Sequence, residues 1–196
     1  MSFKLKGEKT MNEVIDNILT RRSVRAYKED QISDEDLNAI LEAATFAPSA
    51  MGKQDWHFTA VQNKEKIKKL ISAIKEAMLK SSIEQYRKMG ENPNYIPFYN
   101  APTIVITAYD KTSITKESDC AVALQNMLLA AHSLNIGSCW IHLLARTGDD
   151  PKVRSVLTEL GVPEDYAVFG TAVLGYNSKD EPKAAPRKEG TVNIVK

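Results

Sequence analysis

The segment from Ser118 to Asn135 constrains the fold most, because it predicts a long helix that is apolar on nearly every side. One face carries Leu124, Met127 and Leu128 at helical spacing, and further alanine, valine and leucine residues cover much of the rest. A helix that is apolar nearly all round is buried on all sides. We therefore expect this helix in the middle of the molecule, with a dimer interface covering what one chain leaves open.

The rest of the chain alternates between helical and strand patterns. Helices are predicted over about 11–20, from Ser33 past residue 44, over about 64–80 with a continuation as far as Met89, and from Pro151 to Gly161. Strands are predicted over 56–62, 103–109, 138–144 and 167–175. Because helices alternate with about four strands, the pattern predicts a three-layer α/β/α arrangement.

Two remaining segments read as irregular structure. The stretch Gly90–Pro97 holds turn-forming residues and predicts a loop, whose role as a lid over a site stays open. The polar segment 176–196 predicts an arm that needs another surface to order it. We expect residues 1–196 to form a single domain that carries this arm.

Composition narrows the functional classes. The formal net charge is +1 over 196 residues, so nothing suggests a nucleic-acid or membrane partner. Cys120 and Cys139 form no C-x-x-C pair, which favours a reducing compartment. The first ten residues lack the apolar core of a signal peptide, and no run approaches the ~20 apolar residues of a membrane span. We expect a cytoplasmic protein.

Common catalytic motifs are absent. No G-x-G-x-x-G follows a predicted strand, and Tyr176 and Asn177 stand where a P-loop requires Lys and Ser or Thr. Neither H-E-x-x-H nor G-x-S-x-G occurs, and the three histidines are scattered. We therefore assign no catalytic side chain and no metal site. If the protein is an enzyme, a bound cofactor carries the reaction.

A basic cluster follows the first predicted helix. Arg21, Arg22, Ser23 and Arg25 place three guanidinium groups and a hydroxyl within five residues. Guanidinium presents a planar fork of donors that matches phosphate oxygens. The alternative is a solvated basic helix end, which the helix dipole favours.

Three other segments are candidates for ligand contact. The stretch from Ala47 to Trp56 holds small residues, Pro and Gly, which let a backbone approach a flat ligand, but it could simply connect a helix to a strand. Gly137–Ile141 opens a strand where ligands often bind, although plain core is the alternative. The basic cluster 186–188 in the arm reads by itself as solvated charge.

The order of these segments resembles the nitroreductase family of FMN-dependent oxidoreductases. The chain reads R-x-S-x-R from Arg21, A-P-S-x-x-x-x-Q-x-W-x-F from Ala47, N-A-P at 100–102, an apolar helix over 123–131, G-S-C-W-I from Gly137, and P-R-K at 186–188. Each motif is weak alone, but their order and spacing together are specific. The resemblance covers nearly the whole chain, from Met11 to Val195.

The resemblance implies a nitroreductase-like FMN-binding fold of the α+β class, with a central mixed sheet flanked by helices. It also implies a homodimer with FMN at the subunit interface. The residues that it places near FMN fall into three groups. Those near the phosphate and ribityl chain are Arg21, Arg22, Ser23, Arg25 and Arg187. Those against the isoalloxazine ring, from the other subunit, are Pro48, Ser49, Ala50, Met51 and Gly52, with Gln54 near the ribityl chain or ring. Those beside the ring on its other side are Gly137, Ser138, Cys139 and Trp140.

The chemistry implied by the resemblance is electron transfer from NADH or NADPH to a small oxidised organic substrate, such as a nitroaromatic or quinone. One pocket would serve both half-reactions, so ping-pong kinetics are expected. Three positions depart from the family pattern: Gly52 replaces a frequent Asn, Asp55 replaces a frequent Pro, and no glutamate occurs around 137–139.

Three alternatives remain open. The same fold could support another flavin reaction, such as dehalogenation, flavin fragmentation or dehydrogenation. The protein could bind FMN without turnover, or the basic clusters could bind a different phosphorylated ligand.

Overall fold

A computed structural model describes residues 12–180 and 182–196 of the chain. The described part contains seven α-helices, four strands and a short 3-10 turn at Ala50–Gly52. The polar segment 1–10 and the predicted helix start at Met11 lie outside it. The elements in chain order are α1 (Glu13–Thr20), α2 (Asp34–Thr45), β1 (Trp56–Val61), α3 (Lys64–Leu79), α4 (Glu84–Glu91), β2 (Thr103–Asp110), α5 (Lys116–Ser133), β3 (Gly137–Ile141), α6 (Leu143–Thr147), α7 (Pro151–Glu159) and β4 (Tyr166–Gly175).

The four strands form one sheet in the order β1-β2-β4-β3, and every neighbouring pair is antiparallel. The expectation of a mixed sheet is wrong for these strands. The cause is the last strand: β2 and β3 run in the same direction, joined through α5, but β4 inserts between them and pairs antiparallel with both. The parallel pairing in the described residues is the isolated bridge between Ser23 and Ser138.

Helices cover both faces of the sheet, so the predicted three-layer arrangement is confirmed. On one face α2 and α5 bury Ile40, Leu124 and Met127 against Val105 of the sheet. On the other face α3, α6 and α7 bury a second cluster, which includes Leu70, Ile74, Leu144 and Leu157 together with Ile104 and Ile106 of β2. The strand predicted over 103–109 is buried on both faces, as its β-branched sequence indicates.

Two helix starts confirm their sequence signals. Ser33 caps α2, where its hydroxyl accepts a hydrogen bond from the Asp36 amide at 3.0 Å. Pro151 is the first residue of α7, and the Asp150 carboxylate before it accepts from the Lys152 amide at 2.9 Å. Both helices therefore begin where local capping chemistry predicts.

The predicted continuation of α3 to Met89 is wrong. α3 ends at Leu79, and the Ser81 hydroxyl then accepts from the Ile83 amide at 3.2 Å in a short turn that leads into α4. Gly90 belongs to α4 rather than to the predicted loop, because α4 packs closely on α3: a Cβ there would lie 3.0 Å from the Met78 Cβ. The loop begins at Asn92, whose carbonyl accepts from the Lys75 ammonium at 2.9 Å.

Two further boundaries differ from expectation. The strand predicted over 138–144 ends at Ile141, because Leu143 and Leu144 are consecutive and both buried, which suits a helical turn such as α6 better than an edge strand. α5 is not buried on all sides within one chain, since α1 and α2 cover only part of its outer surface and Val122 stays 38% exposed.

α1 leaves its apolar face in solvent. Val14, Ile15, Ile18 and Leu19 are 66%, 47%, 50% and 54% exposed, and no residue of α1 is buried. Polar contacts attach the helix to α5 instead; the Asn17 amide, for example, donates to the Leu129 carbonyl at 3.0 Å. A contiguous exposed apolar stripe of this kind marks an interaction surface. Within the described ranges, no helix combines the length and apolar character required to cross a membrane.

Candidate functional site

Two of the predicted ligand-binding segments meet at one edge of the sheet. Ser23 forms its bridge with Ser138 of β3, and the Val24 amide donates to the Ser138 carbonyl at 2.9 Å. Four residues further on, Tyr27 pairs with Asn177, just beyond the end of β4. The segment after α1 is thus fixed beside β3, although about 115 residues separate the two in sequence (138 − 23).

Electrostatics link the arginines to β3. Burial raises the pKa of the Cys139 thiol, while the positive charge of Arg25, a hydrogen bond from the Ser23 side chain and the charge of Arg21 partly offset this rise. The guanidinium groups therefore lie within electrostatic reach of the strand. This edge of the sheet, formed by 21–25 and 137–140, is called the arginine edge below.

The three arginines of this edge differ in their contacts. The Arg22 guanidinium donates to the carbonyls of Leu19 and Arg21 at 2.7 and 2.8 Å, so it caps the carboxyl end of α1. Within the described part of the chain, the Arg25 guanidinium donates to the Ser23 carbonyl alone, at 3.5 Å. Among residues 12–180 and 182–196, no carboxylate forms an ion pair with any of the three. The charges of Arg21 and Arg25 are therefore available to an anion.

A buried hydroxyl at the arginine edge has no hydrogen-bond partner among the described residues. Ser138 is 1% exposed, and within the described residues its Oγ makes no hydrogen bond. An unsatisfied buried polar group costs about 1–3 kcal/mol, so such an atom points to a polar ligand or water. Ser138 also lines a cavity of about 340 Å³ together with Arg22, Val24 and Asn177.

The packing of the Trp140 side chain, on β3, could not be predicted from the sequence. Its ring packs against Phe169 with 5.4 Å between the ring centroids. Gly170 allows this position, because a Cβ there would lie 2.7 Å from the indole nitrogen. The Trp140 side chain is therefore held on the α5 side of the sheet, half-buried beside the core cluster that α2 and α5 form.

Residues 48–54, which the family resemblance assigns to FMN, form a turn with an unusual backbone. Met51, Gly52 and Gln54 have φ values of 54°, 65° and 55°, in the left-handed region that L side chains rarely adopt. Inside the turn, the Ser49 carbonyl accepts from the Gly52 amide at 3.0 Å, and the Ser49 hydroxyl accepts from the Gln54 amide at 3.1 Å. At Gly52 the left-handed φ suits either glycine or the Asn that is frequent in the resembling family.

This turn lies at the opposite edge of the sheet. It leads directly into Trp56, which pairs with Tyr109 near the end of β2, whereas Gly137 pairs with Gly175 at the other end of the strands. In the part of the chain that the structure describes, no hydrogen bond joins the turn to the arginine edge. Within one chain the predicted contact residues therefore form two separate clusters.

Arg187 belongs to neither cluster. It lies in the arm, whose described residues from Pro182 onward are exposed, including the apolar Val192, Ile194 and Val195. Among the described residues, no hydrogen bond joins Arg187 to the arginine edge. The contact between Arg187 and the FMN phosphate that the resemblance implies stays a prediction.

One residue of interest was missed by sequence reasoning. Asp119, in the first turn of α5, is 9% exposed, and its carboxylate accepts hydrogen bonds from the Ala50 amide at 3.2 Å and the Thr115 hydroxyl at 3.0 Å. The sequence shows only an acidic residue near a helix start, which is an ordinary position for one. Nothing local indicates its bond to the turn.

Comparison with known proteins identifies relatives along most of the chain. The model of the Nitroreductase family matches residues 18–176. The crystal structure of a nitroreductase with bound FMN from Bacteroides fragilis is 48% identical, covers 94% of this chain and 100% of that chain, and has a TM-score of 0.92. A protein of Archaeoglobus fulgidus, with the provisional name NADH dehydrogenase/NAD(P)H nitroreductase, is 37% identical over 87% of this chain and 88% of its own length. An iodotyrosine deiodinase of Thermotoga neapolitana is 26% identical over 91% of this chain and 96% of its own length.

Proposed function

The chain belongs to the nitroreductase family, and on that premise we propose that it is an FMN-dependent oxidoreductase that transfers electrons from NADH or NADPH to a small oxidised organic substrate. Nitroaromatics and quinones are the proposed substrate class. We further propose that it acts as a homodimer, each chain being a single domain with an arm from about residue 176.

The observation that carries the proposal is the arginine edge. FMN carries a phosphate and a polar ribityl chain. Among the described residues, the guanidinium groups of the edge have no carboxylate partner and the neighbouring Ser138 hydroxyl has no hydrogen bond. Charge-assisted bonds from Arg21 and Arg25 would bind the phosphate, and Ser138 or Ser23 would bond to oxygens of the ribityl chain. The donor chemistry of these residues therefore fits FMN. The bound FMN of the Bacteroides fragilis relative supports the same cofactor.

A second chain is needed to complete the site. The resemblance assigns the turn over 48–54 to the flavin ring, yet in one chain this turn lies at the edge of the sheet away from the arginines. We propose that the turn of the partner chain reaches the ring. The exposed apolar face of α1 supplies surface for such an interface, and the exposed apolar residues of the arm would pack on the partner.

The protein's own residues position the reactants rather than react. Ser49, Ala50 and Gly52 are small, so the backbone of the turn can lie close to a flat ring. Trp140 is fixed by Phe169 at the end of the strand that carries Ser138. Bound FMN would supply the two-electron redox chemistry between the reduced nicotinamide and the substrate. We propose that nicotinamide and substrate occupy the same space in turn, which gives ping-pong kinetics.

The likeness to an iodotyrosine deiodinase favours one second candidate function. That candidate is reductive dehalogenation of a halogenated phenol on the same cofactor site. It would share the binding residues above and differ only in the substrate.

The decisive experiment is the visible absorption spectrum of the purified protein, recorded anaerobically. Flavin bands that bleach with NADH or NADPH and return on addition of a nitroaromatic or quinone would establish the proposed activity. Return only with a halogenated phenol, with release of halide, would select the second candidate. Bands that no nicotinamide bleaches would indicate an FMN-binding protein, and no FMN binding at all would overturn the proposal.

A pair of variants tests the cofactor site itself. Arg21→Ala removes a charge-assisted bond of about 1.5–3 kcal/mol, which corresponds to an FMN affinity lower by about 10- to 150-fold. Lys66→Ala removes the same charge from an exposed position on α3 and should leave FMN affinity unchanged. Equal affinities for the two variants would remove Arg21 from the site.

A further inference from the structure

We propose that Asp119 is a positioning residue: its buried carboxylate fixes the turn Ser49–Gln54 in the conformation that faces FMN. The proposal rests on the proposed function, which places this turn against the flavin ring. It adds a residue of α5 that lies outside the motifs that carry the family resemblance.

The carboxylate of Asp119 is committed to two hydrogen bonds. Its Oδ2 accepts from the Ala50 amide at 3.2 Å and from the Thr115 hydroxyl at 3.0 Å. A buried carboxylate is costly unless hydrogen bonds or charges compensate it. Both bonds, together with the amino-terminal end of α5, supply that compensation, so the carboxylate is stable in this position.

The turn needs an external anchor. Two residues other than glycine, Met51 and Gln54, have left-handed backbone conformations, which persist only where the surrounding structure enforces them. The other hydrogen bonds of the turn are internal and involve the Ser49 oxygens and the Ala50 carbonyl. Among the described residues, the bond from Ala50 to Asp119 is the one hydrogen bond that ties Ser49–Gln54 to another element.

Loss of this anchor would act on the flavin rather than on the core. The buried neighbours of Asp119 along α5, such as Ala123 and Leu124, pack against α2 and the sheet without using the carboxylate. Without the anchor, the turn can leave its left-handed conformation, and the surface that meets the ring changes shape. The flavin would then bind more weakly and absorb differently while the protein stays folded.

The test compares three variants of the FMN-loaded protein. Asp119→Ala removes the acceptor and should weaken FMN binding at least tenfold and shift the visible bands of the bound flavin. Asp119→Asn keeps a carbonyl oxygen that can accept from Ala50, and it should restore affinity to within threefold of wild type with an unshifted spectrum. Thr115→Val removes only the other bond of the same carboxylate and should match wild type. A wild-type affinity and spectrum in Asp119→Ala would overturn the proposal.

A reciprocal variant removes the donor instead of the acceptor. Ala50→Pro deletes the amide hydrogen, and the extended backbone of Ser49 (φ −134°, ψ 148°) is the conformation that a residue before proline prefers. If one bond carries the effect, Ala50→Pro should weaken FMN binding as Asp119→Ala does, and the double variant should weaken it no further. Additive losses would contradict the anchor. If Asp119→Ala does not fold, Ala50→Pro and Asp119→Asn decide the question.

Amide hydrogen exchange separates this proposal from the proposed function. In the protein without FMN, the Ala50 amide should exchange at least tenfold faster in Asp119→Ala than in wild type. Unchanged exchange would overturn the anchor, whereas failure of the wild type to bind FMN would overturn the proposed function and leave the exchange result standing.

Discussion

α1 and α5 touch each other and differ in almost every physical respect. α5 has apolar residues around most of its circumference and buries seven residues, which include Leu124 and Met127. α1 separates its apolar and polar sides sharply, yet it buries none and turns the apolar side to solvent. An amphipathic helix normally directs its apolar stripe at its own core. The contrast indicates that α5 stabilises the fold of one chain, and it agrees with the proposal that α1 contacts a second chain.

Charge on the apolar face of α1 gives the largest expected effect. In a symmetric dimer Ile18→Asp acts twice, and losing burial of each isoleucine costs about 1.5–3 kcal/mol, so dimerisation should weaken by about 3–6 kcal/mol. Analytical ultracentrifugation over a range of concentrations measures the dissociation constant. Ser72→Asp adds the same charge to an exposed position on α3 and should leave the dimer intact. An unchanged dissociation constant for Ile18→Asp would show that α1 lies outside the interface.

Truncation inside α5 should affect the single chain instead. Met127→Ala leaves a cavity in a fully buried position and should lower the free energy of unfolding by about 2–5 kcal/mol. Urea unfolding in the Ile18→Asp background measures this without a contribution from the dimer. Val122→Ala on the same helix is the control, because Val122 is 38% exposed and its loss should cost less than about 1 kcal/mol. Equal costs would contradict the assignment of the buried face of α5.

The sequence predicted the elements that depend on local chemistry. Ser33 and Pro151 mark their helix starts because a cap or a fixed φ acts within one turn of chain. The β-branched run of β2 likewise predicts its own burial. Such features need no knowledge of the neighbours.

Features that depend on contacts between residues far apart in the chain could not be predicted from the sequence. The break after Leu79 arises because α4 folds back on α3, where Gly90 approaches Met78, and the apolar spacing shows no trace of it. The antiparallel sheet depends on where β4 inserts. Among the site residues, sequence reasoning selected 21–25 and 137–140, which do meet, but it could not find Asp119, whose partner Ala50 lies 69 residues away.

The buried thiol of Cys120 in α5 makes the free energy of unfolding depend on pH. Burial, followed by the negative charges of Asp119 and Glu117, raises the pKa of Cys120 to about 12, against 9.0 for an unperturbed thiol. The unfolded chain therefore loses this proton first, and stability falls as pH rises from 9 towards 12, by at most about 1.4 kcal/mol per pH unit from this group. Unfolding at pH 8, 9 and 10 should show a shallower decline for Cys120→Ala than for wild type. Parallel declines would mean that Cys120 does not contribute.

The smallest expected effect is the loss of stability on replacing Arg22, one of two neighbouring arginines at the end of α1. In sequence Arg21 and Arg22 are equivalent members of one basic cluster, but Arg22 donates to the carbonyls that end the helix, whereas no described hydrogen bond engages the Arg21 guanidinium. Arg22→Ala should therefore cost about 0.3–1 kcal/mol of stability, as expected for a cation at a helix carboxyl end, and change FMN affinity less than threefold. Arg21→Ala should leave the stability nearly unchanged and weaken FMN binding.

Thermal unfolding and FMN titration of both variants measure this crossed pattern. If Arg22→Ala weakened FMN binding as much as Arg21→Ala, then the end of α1 would bind the cofactor with its whole basic cluster, and the helix-capping role would be secondary. If neither affected FMN, the cluster would be the solvated helix end that composition alone suggests. Only the crossed pattern would show that Arg22 stabilises the end of α1 while Arg21 binds FMN.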